Sequence, residues 1–159
     1  MRAGCVNFGQ IANEERELMA NASRSEETRT RFSEINLHDS DLTGVHLASR
    51  AGSPTDELYL DLGLLVDDSD YERIPARLTF HNCFYVKMEI DVNFKKRASN
   101  AISYSECVGD SAFRREVEAG MQETALAVFW EFVVSLCPPS GEIRVFAQDF
   151  SLEELRKHV

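Results

Sequence analysis

Between Leu78 and Phe94 the chain reads LTFHNCFYVKMEIDVNF, and hydrophobic and polar residues take turns. Leu78, Phe80, Phe84, Val86, Met88, Ile90, Val92 and Phe94 share one parity; Thr79, His81, Cys83, Tyr85, Lys87, Glu89, Asp91 and Asn93 share the other. Alternation with a period of two predicts a strand with one buried and one wet face. Seventeen residues at about 3.3 Å each would span ~56 Å, well beyond the usual strand, and polar Asn82 breaks the apolar row. A bulge or bend at His81-Asn82-Cys83 reconciles the two, because Asn accepts the backbone angles of a bulge and no glycine is present for a short hairpin loop. The pattern predicts one long strand, bent there, wrapping the core.

The same rhythm recurs elsewhere. LTGVHLAS (42–49) predicts a short strand with Val45 and Leu47 inward, and ELYLDLGLLV (57–66) a strand with Leu58, Leu60, Leu62 and Leu64 inward. AISYSECV, FWEFVVSL and EIRVFAQDF are further strands, and CPPSGE between the last two predicts a hairpin loop. Helical spacing appears in IANEERELMANASRSEETRTRF, which predicts a helix over about 11–22 followed by a polar stretch through about residue 31. Phe113, Val117 and Met121 recur on one helical face, so a helix over about 111–123, capped by Asp110 or Ser111, is the expected cover for the sheet. In SLEEL, Glu154 follows Ser151 by three residues, the spacing of a capping box, which predicts a short C-terminal helix.

Short loops and the lack of a βαβ rhythm make the expected class α+β and mainly antiparallel β. About seven strands would form a bent sheet or two-layer sandwich, with one covering helix and helical N- and C-terminal segments. Residues 35–159 are expected to be a single domain, and residues 1–34 a partly helical or mobile N-terminal segment.

With 159 residues, 43% of them hydrophobic and 28% charged, the chain is long and apolar enough for one ordinary folded domain. The distribution of charge is more informative than its total. Residues 39–72 hold nine acids against Arg50 alone, a local net of 1 − 9 = −8, whereas residues 73–97 carry Arg73, Arg77, Lys87, Lys95, Lys96 and Arg97 against Glu89 and Asp91. An acidic sector disfavours nucleic acid; it reads either as a solvated face that aids solubility or as a surface that would steer a basic protein partner. Asp56, Glu57, Asp67, Asp68, Asp70 and Glu72 are its candidate contact residues. Cys5, Cys83, Cys107 and Cys137 are isolated, with neither zinc-ribbon nor disulfide-framework spacing, which points to reduced thiols in a cytoplasm. No apolar run approaches membrane-spanning length, so no membrane association is expected.

Candidate chemistry is sparse. HDSDLTGVH places His38, Asp39, Asp41 and His46 close together, and two imidazoles with two carboxylates are a donor set for zinc, manganese or iron. The same residues also make a turn, since Asp39 and Ser40 side chains bond nearby backbone amides. His81 and Cys83, two apart, would share one strand face. GxSxG, GxGxxG and GxxxxGK[ST] are all missing, and no cofactor is implied.

The order of LHDSDL, a Leu-alternating strand, LTFHNC with its F-x-x-C step, and the closing hairpin PPSGEIRVFAQDFSL resembles small uncharacterised bacterial β-rich proteins. Several of these are grouped with immunity proteins of polymorphic toxin systems. The resemblance covers about residues 35–153 and implies a compact antiparallel fold and a role in binding, with no catalytic residues to carry over. The leading expectation is a non-enzymatic, acidic, cytoplasmic protein-binding module. The alternative is a metal-dependent hydrolase using His38, Asp39, Asp41 and His46.

Overall fold

In a computed structural model of the chain, the described residues are 26–49, 56–67, 71–90, 100–120, 129–138 and 141–155. The helix expected over 11–22 lies outside them. Helical residues 26–33 (α1) come first, followed by β1 (Asp41–Ser49), β2 (Asp56–Asp67), β3 (Glu72–Cys83), β4 (Tyr85–Ile90) and β5 (Ile102–Val108). After α2 (Ala112–Ala119) come β6 (Trp130–Leu136), β7 (Gly141–Ala147) and β8 (Asp149–Glu154). The strands form two four-stranded sheets of order β1-β2-β3-β8 and β4-β7-β6-β5, with every pairing antiparallel.

Alternation decides what each strand buries. Leu58, Leu60 and Leu62 of β2 and Ala76, Leu78 and Phe80 of β3 form one wall of the core, and Phe132, Val134, Ile143 and Val145 of β6 and β7 form the other. Each fully buried Leu or Phe contributes about 1.5–3 kcal/mol by leaving water, so this double row is the main stabilising term. Val45 packs against the core as expected, but Leu47, near the end of edge strand β1, is 56% exposed. Phe32 reaches in from α1, its ring centroid 5.0 Å from those of both Phe132 and Phe150. Thr28, one helical turn earlier, is buried as well. The core thus draws on Phe32, within the 1–34 segment expected to be partly helical or mobile.

The long alternating stretch is shared between the sheets. β3 pairs with β8 as far as His81↔Asp149, while β4 pairs with β7 from Tyr85↔Phe146 onward. The chain therefore crosses between sheets at residues 82–84 without reversing, and its neighbour crosses back at Gln148. Bonds tie the two crossings together: Asn82 Nδ2 donates to Gln148 Oε1 at 3.0 Å, Gln148 N to His81 O at 3.1 Å, and Phe84 N to Phe146 O at 2.8 Å. Asn82 has φ 54°, a left-handed conformation that Asn tolerates better than most residues. Opposite it, the β2–β3 register shifts between Asp56↔Cys83 and Leu58↔Phe80, so that His81 and Asn82 face Glu57 alone. This is the bulge that the polar interruption implies, and corners between packed sheets are commonly made this way.

Among the described residues there are eight strands, in keeping with the seven or so expected, and two other expectations are corrected. The C-terminal helix is strand β8: Phe150 and Leu152 point into the core while Ser151 bonds His81, so apolar alternation overrides the capping-box spacing. The inner face of each sheet is covered by the other sheet, whereas α2 lays Phe113 and Val117 on Phe129 and Phe146.

Candidate functional site

The outward residues of the first sheet form ordered rows. His46, Tyr59, Thr79 and Ser151 lie opposite one another across β1, β2, β3 and β8, and Asp61 lies opposite Arg77 in the adjoining row. Cross-strand neighbours on one face are close enough to bond, and here they do. Arg77 Nε donates to Asp61 Oδ1 at 2.7 Å, and His46 Nε2 lies 3.0 Å from Asp61 Oδ2. The Arg77 hydrogen bond is the chief reason that the Asp61 carboxyl titrates below its ordinary value, with His46 adding to the effect. Arg77 also lies over the Tyr59 ring, 5.3 Å from its centroid.

Next to this row, His81 Nε2 is 2.8 Å from Ser151 Oγ, His81 Nδ1 is 3.3 Å from Glu57 Oε1, and the Tyr59 hydroxyl donates to the other Glu57 oxygen. The order serine, histidine, carboxylate is that of a hydrolase triad. Ser151, however, sits within a regular strand opposite Thr79, not on the sharp turn that lifts a nucleophile clear of a sheet. The arrangement ties β2, β3 and β8 together. It was missed in the sequence because its members are 24 and 70 residues apart and only strand register brings them together.

The far end of the same strands differs. At the tip of the β2–β3 hairpin the register shifts between Leu65↔Arg73 and Asp67↔Glu72, leaving Val66 as the extra residue of a bulge. Val66 is 58% exposed. Tyr71, which leads into β3, is 73% exposed and has φ 50°. Left-handed backbone costs a non-glycine residue roughly 1 kcal/mol or more. Both large apolar side chains at the tip are thus presented by irregular backbone. Beside Val66 an open groove is lined by Ile35, Leu64 and Leu152, with Glu34 and Glu154 contributing carboxylates. The nearest base in β3, Arg73, is engaged: its guanidinium lies 3.0 Å from Asp41 Oδ2 and donates to the Asp39 carbonyl at 3.1 Å.

The six acids expected to form one contact surface are divided. Asp56 and Glu57 begin β2, Asp67 ends it and Glu72 begins β3. Eleven residue steps at about 3.3 Å separate Asp56 from Asp67 by ~36 Å. Glu57 is engaged with Tyr59 and His81, whereas Glu72 is exposed at the tip. Asp68 and Asp70 lie outside the described residues, as does the side chain of Asp67.

The candidate metal ligands are not brought together. His38 pairs with Asp39 at 3.0 Å, Asp41 with Arg73, and His46 with Asp61. Among the described residues no three His, Cys, Asp or Glu side chains are placed to hold a metal ion. The turn is present: Asp39 has φ 61°, and Ser40, fully buried, accepts the Leu65 N–H through its hydroxyl at 3.1 Å. His81 and Cys83 do not share a face either, because the bulge at Asn82 shifts the alternation and sends Cys83 into the core. Burial pushes the Cys83 thiol up to about 11 and that of Cys107 to about 12, so neither is a thiolate at neutral pH.

The chain matches no family model, no curated protein and no solved structure. Among the described residues no helix is long and apolar enough to cross a membrane.

The second sheet holds one further polar cluster with no clear sequence signal. Glu131 is fully buried, bonded to Arg144 Nη1 at 2.7 Å and to the Ser111 hydroxyl, while Ser111 Oγ accepts the Arg114 N–H at 2.8 Å and so caps α2. A buried carboxylate is stable when its charge is paired in this way. Its role is to fasten the start of α2 to β6 and β7.

Proposed function

We propose that this protein is a non-enzymatic, acidic protein-binding module that engages a basic partner through the tip of the β2–β3 hairpin, as an immunity protein would engage a toxin in a bacterial cytoplasm. The observation that carries the reading is Tyr71. A large aromatic side chain that is 73% exposed at positive φ, on a tip that also presents Val66, is poorly explained by folding alone. Aromatic anchors are enriched among the residues that dominate interface energies. Close to it in the sequence stand Asp67, Asp68, Asp70 and Glu72, acidic residues that would steer a basic surface and speed its association.

The test is retention of cell proteins by the wild-type chain and by an Asp67→Lys, Asp68→Lys, Asp70→Lys variant at low and high salt, followed by association kinetics with whatever is retained. The reading expects a stoichiometric basic protein that the wild type releases at high salt. The variant should associate with it at least tenfold more slowly and with a weaker dependence on salt. Equal rates and equal salt dependence would remove the acidic tip as the mechanism.

A further inference from the structure

β4 ends the second sheet: β7 pairs with one side of it and, among the described residues, no strand pairs with the other. Open strand edges invite pairing with another chain, so they are usually short, bulged or charged. This edge is regular for six residues, and Tyr85, Met88 and Ile90 are each 38–44% exposed along it.

The alternation of β4 sorts its side chains. Val86, Met88 and Ile90 lie opposite Val145, Ile143 and Gly141, on the face turned to the core. Tyr85, Lys87 and Glu89 lie opposite Phe146, Arg144 and Glu142, on the face where Tyr85 meets Phe113 of α2. A second copy running antiparallel along this edge keeps both faces in order only if the two-fold axis passes through a residue rather than between two. An axis through Lys87 would oppose two lysines and one through Glu89 two glutamates, both unfavourable. An axis through Met88 sets Lys87 opposite Glu89 of the second copy twice over, Val86 opposite Ile90 twice over, and Met88 against itself. Within one chain Lys87 Nζ already lies 2.9 Å from Glu89 Oε1, so the pair of copies would close a ring of alternating charges.

We propose that β4 pairs antiparallel with β4 of a second copy of this chain, with Met88 on the two-fold axis, joining the two four-stranded sheets into one. Lys87 and Glu89 act here as a key: they complement the same strand reversed and disfavour a strand that sets like charges opposite them. A two-fold interface is self-complementary by construction, and of the axes through Lys87, Met88 and Glu89 only the one through Met88 satisfies that condition with unlike charges opposed. The inference is independent of the hairpin tip and of any partner held there.

The test is molar mass by light scattering over a concentration series, with circular dichroism to confirm folding. The wild type is expected to reach twice the mass of one chain. Lys87→Glu and Glu89→Lys, each placing like charges opposite one another, should each weaken self-association at least tenfold. The double variant Lys87→Glu/Glu89→Lys should recover it, and so should an equimolar mixture of the two single variants. A wild type that stays at the mass of one chain through the whole series overturns the proposal. So does a dimer that tolerates both single changes, or single-variant losses that neither the double change nor the mixture repairs.

Discussion

The two ends of the β2–β3 ribbon are built on opposite terms. At the corner end, Glu57, Tyr59, His81, Ser151, Asn82 and Gln148 bond one another across three strands and two sheet crossings, and Cys83 is folded inward. At the tip, a bulge and a left-handed residue accompany the exposed Val66 and Tyr71, next in the chain to exposed Glu72. The two ends use the same backbone devices, a register shift and a positive φ. What differs is what the side chain meets. Asn82 meets Gln148, so its strain is offset within the fold; Tyr71 remains 73% exposed, so its strain is left for binding to justify.

The comparison predicts that changes at the corner alter stability and that changes at the tip alter binding. The largest effect should come from Asn82→Val, which puts a β-branched residue at φ 54° and removes the Gln148 bond. Roughly 2–4 kcal/mol should be lost in chemical denaturation, whereas Asn82→Gly, which keeps the backbone comfortable, should lose less than half of that. Equal losses would mean that Asn82 matters only for its side-chain bond.

A smaller effect, about 1 kcal/mol, is expected for Asp61→Asn, which removes the partner of both Arg77 and His46. Its sign with pH is fixed. Because the folded carboxyl titrates lower than the unfolded one, its contribution is complete above about pH 4 and is lost as the pH falls through the folded value. Melting temperatures from neutral to acid pH should converge for wild type and variant at the acid end; parallel curves would contradict the pairing.

The mildest probe is chemical. Cys83 and Cys107, buried and held as thiols, should react with alkylating reagents only as the chain opens, so their modification at neutral pH should accelerate at least tenfold in denaturant. Rapid modification of either in the native protein would show that the core is less closed than described.

Much of the fold is legible as period-two alternation, because the register that pairs Leu60 with Leu78 rests on the same apolar rows that the sequence displays. The β6–β7 hairpin is legible from PPSG, and Gly141 explains why: at φ 105° a Cβ there would meet the Glu89 carbonyl oxygen at 1.8 Å. Local rules misled where tertiary partners compete with them. Ser151 fits a capping box, yet its hydroxyl is taken by His81, seventy residues away. The acidic sector reads as one surface along the chain, but a twelve-residue strand carries its two halves to opposite ends of a sheet. Neither the Glu57–His81–Ser151 contacts nor the exposure of Tyr71 leaves a mark on the sequence, since both follow from register and from the bulges that shift it.

The central claim, that the tip is kept for binding and not for folding, is tested most directly by Tyr71→Gly, with melting temperature and partner retention measured on the same preparation. Glycine relieves the backbone at φ 50° and deletes the exposed ring. The account predicts a melting temperature equal to or above that of the wild type together with roughly 10- to 100-fold weaker partner binding. A lower melting temperature with unchanged retention would contradict it, and would make Tyr71 part of the fold.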